Sequence, residues 1–76
     1  MANLEYRDHR ISVSVIYDTP SQYQFTPVVE IRRAGSTQVV NTILTHEAFM
    51  TDQRAIEFGF ELGRAWVDKR LAEPSR

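Results

Sequence analysis

The sequence of 76 residues contains no cysteine, and this absence removes several kinds of chemistry at once. No disulfide can support the fold, and thiolate metal sites and thiol catalysis are excluded. We expect a chain of this length to form one domain, residues 1–76, that buries only about 60–65% of the surface of its unfolded state. The core must therefore be small.

An excess of charge of one sign and long apolar runs are missing as well. The sequence has nine Lys and Arg against ten Asp and Glu, a net charge of −1. Nucleic-acid-binding modules usually carry a basic excess, and a helix that spans a bilayer needs about 18 or more apolar residues. The N-terminal residues also lack the basic and apolar parts of a signal peptide. These absences predict a cytoplasmic protein without a membrane segment.

Candidate catalytic and metal-binding residues are few. The sequence has two histidines, and their spacing is not that of a metal site. Asp8, His9 and Ser12 lie close together, but neighbouring residues of a strand point to opposite faces, which excludes a catalytic triad. Glu57 and Glu61 share one helix face with arginines, which is typical of a solvated surface. We therefore expect no catalytic, metal-binding or cofactor-binding site, and no enzyme.

Three segments alternate between apolar and polar residues, as half-buried β-strands do. They are predicted at residues 9–17, 23–33 and 38–45. A loop at 18–22 and a tight turn at 34–37 connect them, and short connections of this kind favour an antiparallel meander.

Two features of the predicted strands leave their geometry open. Pro27 donates no backbone hydrogen bond, so it predicts a bulge or kink in the second strand. In the third strand, Val39 and Ile43 compete with Val40 and Leu44 for the buried face. The sequence does not decide between these two facings.

A long helix is predicted at residues 52–72. Thr51 is a suitable N-cap because its hydroxyl can accept a backbone N–H of the first turn, and Pro74 prevents continuation. Together with the strands, this helix predicts an α+β domain in which a three-stranded antiparallel meander packs one face against a long C-terminal helix (β-β-β-α).

Two glycines lie inside the predicted helix, where each costs about 1 kcal/mol relative to alanine. Gly59 and Gly63 therefore indicate a close approach of the helix, either to large sheet residues such as Phe25 or Tyr17 or to a second helix in a homodimer. At 100° per residue, the centre of the apolar face is predicted to hold Ala55, Gly59, Leu62 and Trp66.

The apolar arc of the helix covers about 240°, against about 100° for an ordinary surface helix. A three-stranded sheet covers one side only, so a second layer is needed. Either the N-terminal segment with Leu4 and Tyr6 or another subunit covers a helix flank. The candidate residues for an interface on the helix flanks are Phe58, Phe60 and Leu71.

The sheet face away from the helix is predicted to be polar. Its candidate binding residues are Arg10, Ser12, Ser14 and Arg32. They fit a solvated face, or a platform like those of DNA-binding domains that lay a three-stranded sheet into a groove.

Several short motifs resemble a group of small uncharacterised bacterial proteins. The motifs are Tyr6-Arg7 before an alternating strand, Phe49-Met50-Thr51 at the helix start, and Gly63-Arg64-Ala65-Trp66-Val67-Asp68 near its end. The resemblance implies a β-β-β-α fold and no assigned activity, so it transfers no functional residue.

The sequence is also similar to the HicB-type antitoxins in its short sheet followed by a Thr-capped helix, but it lacks their glycine-rich segment before the cap. We therefore expect a non-enzymatic interaction or accessory protein whose partner is another protein or a second copy. A nucleic-acid-binding module and an antitoxin-like regulator are the alternatives.

Overall fold

The computed structural model describes residues 2–17 and 24–72, which form four β-strands and one α-helix. The elements are β1 (Ala2–Tyr6), β2 (His9–Tyr17), β3 (Phe25–Arg33), β4 (Val39–Leu44) and α1 (Asp52–Ala72). The sheet is antiparallel with the order β1-β2-β3-β4. The α+β class is confirmed, but the prediction of three strands was wrong by one. The predicted loop at 18–22 and residue 23 lie outside the described residues.

The additional strand is the N-terminal segment. Residues of β1 alternate between half-buried and exposed, and they pair with β2 from Tyr6 opposite His9 onwards. Arg7 and Asp8 make the connection with φ angles of 48° and 64°. Positive φ at both central residues is the geometry of a two-residue type I′ hairpin turn. The segment expected to cover the helix does so as part of the sheet.

The core lies between the inner face of the sheet and α1. Its fully buried members are Ile11 and Val13 of β2, Val29 and Ile31 of β3, and Val67 of α1. Side chains of β1 pack against this cluster from one side. The apolar–polar alternation predicted for residues 9–17, which form β2, places Ile11 and Val13 in the core as expected.

Pro27 causes no bulge, so that prediction was wrong. It pairs with Val15 in a continuous β2–β3 ladder. Phe25 exchanges both backbone hydrogen bonds with Phe49, at 3.1 and 2.9 Å, so the nitrogen of Pro27, two residues on, faces the same edge of β3. At that point β4 has ended at Leu44, and proline therefore removes no bond of a strand ladder.

The irregularity of the sheet lies between β3 and β4, where the register shifts between Ile31 and Arg32. Asn41 is opposite Ile31 and Val39 is opposite Arg32, which leaves Val40 as an extra residue of β4. An extra residue of this kind is a β-bulge, and it changes the facing of the strand.

The bulge answers the question of which β4 residues are buried. Ile43 lies opposite Val29 and packs against the core, whereas Leu44 is 74% exposed on the outer face. Val40, at the bulge, lines a cleft beside the helix instead. In burial, β4 follows the alternative of Val39 and Ile43, which are half-buried, whereas Val40 and Leu44 are exposed. The bulge nevertheless changes the register of the strand at Val40.

Helix α1 occupies the predicted residues, and its cap is confirmed. The Oγ1 atom of Thr51 accepts the N–H of Arg54 at 3.2 Å. The helix has no stretch of the length and apolar character that membrane crossing needs, and it is the one helix among the described residues.

The glycines mark the closest approach of α1 to the sheet, as predicted. A Cβ atom on Gly59 would lie 2.7 Å from Cγ1 of Val13, and one on Gly63 would lie 2.5 Å from Cγ2 of Ile11. Carbon atoms do not pack at such distances. The helix backbone itself therefore rests on the β2 side chains.

Two details of the predicted helix packing were wrong. Tyr17 and Phe25 do not meet the glycines; they stack on each other at 5.0 Å between ring centroids. The fully buried row of the helix is Ala55, Gly59, Gly63 and Val67, while Leu62 and Trp66 are half-buried beside it. A row with i, i+4 spacing follows the sheet because it forms the natural ridge of an α-helix.

Candidate functional site

The outer face of the sheet holds the predicted binding residues. Arg10, Ser12 and Ser14 alternate along β2 with the core residues Ile11 and Val13, and Arg32 lies directly opposite Arg10 on β3. Ser12 is itself buried, at 4% exposure. The structure therefore brings all four to one face. Their role in binding stays a prediction.

Acidic and amide partners balance this polar half of the outer face. Nε of Arg10 donates to Oε2 of Glu5 at 2.7 Å, and Nη2 of Arg32 donates to Oε1 of Glu30 at 3.2 Å. The hydroxyl of Ser12 donates to Asn3 at 2.7 Å. Both arginines are thus paired locally, which leaves little excess positive charge for a phosphate backbone.

The other half of the outer face is apolar. Val28 lies directly opposite Leu44 on β4 and Ser14 on β2. Ile16 lies two residues beyond Ser14 and therefore on the same face of β2. Ile16 is 54% exposed. We call Ile16, Val28 and Leu44 the outer apolar patch. It joins three strands across the face that α1 leaves uncovered.

At the opposite end of the molecule, three side chains join the first hairpin to the last turns of the helix. The hydroxyl of Tyr6 lies 2.8 and 3.0 Å from the two carboxylate oxygens of Asp68. Nη1 of Arg7 donates to Oδ1 of the same carboxylate at 2.7 Å. We call Tyr6, Arg7 and Asp68 the clasp.

The clasp shifts the protonation equilibria of its members. Hydrogen bonds from Arg7, and then from Tyr6, lower the pKa of the Asp68 carboxyl. The bond to Asp68 and partial desolvation raise the pKa of the Tyr6 phenol. The same carboxylate raises the pKa of the Arg7 guanidinium. Each shift favours the bonded forms: an anionic Asp68, a neutral Tyr6 and a cationic Arg7.

Backbone contacts hold the hairpin turn beneath the clasp. Nδ1 of His9 lies 2.8 Å from the carbonyl oxygen of Arg7, so this ring nitrogen carries the proton and donates it. The N–H of Ala34 donates to the carbonyl of Asp8 at 2.9 Å. These bonds offset the cost of two non-glycine residues with positive φ.

Residues of the resemblance motifs meet in and around the clasp. Tyr6 and Arg7 contact Asp68 directly. Trp66 lies edge-on to His9, with 6.4 Å between ring centroids. In this chain the Tyr6-Arg7 motif and the motif that contains Trp66 and Asp68 thus hold the first hairpin against the last turns of α1, which is a structural role. The resemblance itself stays a prediction.

A cleft lies between the last turns of α1 and the end of the sheet. We call it the C-terminal cleft. Its volume is about 210 Å³, and it is lined by His9, Arg33, Val40, Trp66, Arg70 and Leu71. The guanidinium carbon of Arg70 lies 5.4 Å from the centroid of the Trp66 ring, within the range of a cation–π contact.

The predicted helix-flank residues differ in their surroundings. Phe58 packs against Phe49 with 5.0 Å between ring centroids and an angle of 45° between the rings, and it is half-buried. Phe60 packs against the core, and Leu71 is 47% exposed at the edge of the C-terminal cleft. A shared interface of these three residues stays a prediction.

Sequence reasoning did not find the clasp or the cleft. Asp68 has the periodicity of the polar helix face, and its partners Tyr6 and Arg7 belong to a strand and a turn that were not predicted. The alternation of residues 2–6 was the available signal for that strand. Within residues 2–17 and 24–72, no three His, Asp or Glu side chains are grouped so that they could hold a metal ion.

Comparisons with known proteins identify no relative of this chain. No protein-family model matches the sequence, and neither the curated proteins nor the solved structures give a significant match.

Proposed function

We propose that the protein is a small non-enzymatic interaction protein of the cytoplasm, folded as one domain, that binds another protein through the outer apolar patch. The observation that supports this proposal is the exposure of two aliphatic side chains on a sheet face that no element within residues 2–17 and 24–72 covers. Leu44 is 74% exposed and Ile16 is 54% exposed, with the half-buried Val28 between them.

Sheet faces that contact water normally carry polar residues, as the other half of this face does. Single exposed apolar residues are common, but contiguous apolar surface marks a site of association. The radius of gyration of 13.2 Å exceeds the roughly 11 Å expected for a compact chain of this length. The domain is therefore elongated, with much surface for its size.

The alternative is a nucleic-acid-binding module that uses the polar half of the outer face. The local pairing of Arg10 with Glu5 and of Arg32 with Glu30 favours the protein partner over this alternative. Titration with duplex DNA and single-stranded RNA at low salt tests it. Affinity that falls steeply with salt would support nucleic-acid binding.

The patch can be tested with a charge placed on it. Leu44→Lys should abolish association, since a lysine in an apolar contact is desolvated without a partner. Thr42→Lys is the matched control, because Thr42 is exposed on the same strand and lies opposite Glu30 in the polar half. Sedimentation velocity over a range of protein concentrations measures self-association of both variants.

A partner other than a second copy requires a second measurement. A photo-crosslinking amino acid at position 44 should give a protein adduct in cells, and the same group at position 42 should give much less. Equal adducts at both positions, or none at either position in a protein that also sediments as a monomer, would contradict the proposal.

A further inference from the structure

We infer that the C-terminal cleft binds a small organic anion, a carboxylate or phosphate group carried on an apolar body. This site lies at the end of the helix, on the other side of the sheet from the outer apolar patch. The inference therefore does not depend on the proposed function. It rests on the charges, the apolar walls and the rigidity of the cleft.

The polar wall of the cleft is cationic. Arg33 comes from the end of β3 and Arg70 from the last turns of α1. Among the described residues, no carboxylate lies within 4.0 Å of either guanidinium, whereas Arg7, Arg10 and Arg32 all have acidic partners. Guanidinium groups bind carboxylates and phosphates with paired N–H donors.

The acid closest to this wall along the helix is already engaged. Asp68 lies two residues before Arg70, but its carboxylate contacts Tyr6 and Arg7 on the β1 side of the helix. The clasp thus engages the Asp68 carboxylate, which would otherwise compete with a ligand for the arginines of the cleft. The end of the helix therefore presents the Asp68 carboxylate on its β1 side and the Arg70 guanidinium on its cleft side.

The negative end of the helix dipole opposes an anion at this position. Lys69 and Arg70 in the last turn of α1 counter that field. The orientation of Arg70 also matters. Its guanidinium lies 5.4 Å from the centroid of the Trp66 ring, and a cation–π contact of this kind engages no hydrogen-bond acceptor, so its N–H donors can still bind a ligand.

The remaining walls suit an apolar body. Trp66 offers a large aromatic surface, while Val40 and Leu71 are 40% and 47% exposed. Val40 reaches the cleft because of the bulge in β4, which places an apolar side chain next to Arg33. The ligand therefore needs an apolar group beside its anion. A cleft of about 210 Å³ is smaller than the roughly 300–1,000 Å³ of drug-sized sites, so a single ring or a short chain fits.

The His9 wall of the cleft is held in place before any ligand arrives. His9 is 8% exposed, and its Nδ1 bond to the Arg7 carbonyl fixes the ring that faces Trp66. Binding to a preorganised site avoids the entropy cost of ordering its side chains.

Trp66 is the single tryptophan of the sequence, so it reports on the cleft without labelling. We would follow its indole N–H cross-peak in ¹H–¹⁵N spectra during titration. Phenyl phosphate and benzoate combine an anion with a ring, inorganic phosphate has the anion alone, and benzyl alcohol has the ring alone. We expect saturable shifts for at least one of the first two probes and much weaker binding of the last two. The better of phenyl phosphate and benzoate identifies the preferred group.

Charge variants locate the site. Arg33→Gln and Arg70→Gln should each weaken the better probe about tenfold, the effect of losing one charge-assisted hydrogen bond of moderate strength. Lys69→Gln removes the same charge from the neighbouring helix position, which does not line the cleft, and should change affinity less than twofold.

Three results would overturn the inference. One is the absence of saturable shifts with phenyl phosphate and benzoate up to millimolar concentrations. Another is an equal loss of affinity in Lys69→Gln and Arg70→Gln, which would mean unspecific attraction. The third is binding of benzyl alcohol as tight as that of the anions, which would mean a purely apolar site.

Discussion

The hydroxyl of Tyr6 reaches both carboxylate oxygens of Asp68 across 62 positions of sequence, and Arg7 bonds the same carboxylate. The contact joins the first strand to the end of the helix. β1 is the first element of the fold and α1 is the last, so this contact links the two directly.

Loss of the clasp should lower stability in a defined pH range. The pKa of Asp68 is held below its usual 3.8, so its contribution is present above that pH and is lost as pH falls through the lower, folded value. The pKa of Tyr6 is raised above 10.0, so its contribution is present below that pH and is lost as pH rises through the higher, folded value.

Tyr6→Phe should therefore melt at a lower temperature than the parent protein at neutral pH, with a difference that shrinks at both extremes. Tyr17→Phe, which changes an exposed tyrosine, is the control. Thermal melts by circular dichroism from pH 3 to pH 11 measure both variants. A Tyr6→Phe deficit that does not change with pH would show that the hydroxyl does not act through its bond to the ionised Asp68 carboxylate.

Gly63→Ala should destabilise the protein although alanine favours helices. The added methyl meets Cγ2 of Ile11 at 2.5 Å, and the β-branched side chain has little freedom to rotate away. Overpacking costs about 1–3 kcal/mol, against a helix gain of about 1 kcal/mol, so we expect a net loss of up to about 2 kcal/mol. Ala65→Gly, on the exposed face of α1, is the control: in the same urea titrations it measures the difference in helix propensity between alanine and glycine without a packing contribution. A gain in stability would mean that α1 does not touch β2 at this point.

Asp8→Gly should stabilise the first hairpin. Asp8 has a φ of 64°, a conformation that costs L-residues about 1–2 kcal/mol and glycine almost nothing. Part of this gain is lost to the greater freedom of glycine in the unfolded chain, so we expect at most about 1 kcal/mol. Asp8→Val should destabilise by a similar or larger amount. Urea unfolding of the two variants should move in opposite directions, and a common direction would contradict the type I′ turn.

Val67 should contribute more to the core than its size suggests, and Trp66 less. Val67 has no exposed surface, and Val67→Ala should cost about 2 kcal/mol from lost burial and the cavity. Trp66 is half-buried, so Trp66→Ala should cost less than the roughly 3–5 kcal/mol of a fully buried aromatic residue. Chemical denaturation followed by circular dichroism measures both. A Trp66→Ala loss within that higher range would restore Trp66 as a core residue.

Periodicity in the sequence was sufficient for the elements that are amphipathic over several turns or pairs. The residues of α1, its Thr51 cap and the facing of β2 follow directly from spacing. The glycines also carried real information, because a helix has few reasons to tolerate two of them one turn apart.

The features that sequence reasoning missed depend on contacts between distant residues. The turn at Arg7 and Asp8 lacks the glycine or asparagine typical of a type I′ hairpin, so β1 had no visible connection to β2. The bulge beside Arg32 has no signal in residue type. Asp68 has the periodicity of a solvated residue, and only the position of the hairpin gives it partners.

The contact between Gly63 and Ile11 also sets the width of the C-terminal cleft. Because Gly63 has no side chain, the backbone of α1 lies directly against Ile11, and this contact sets the distance between α1 and β2 there. Trp66 and Arg70 follow within two turns, so a methyl group at position 63 would act as a wedge and tilt them away from His9 and Arg33. The gap between the cleft walls can thus be adjusted from inside the core, without changing any residue that would touch a ligand.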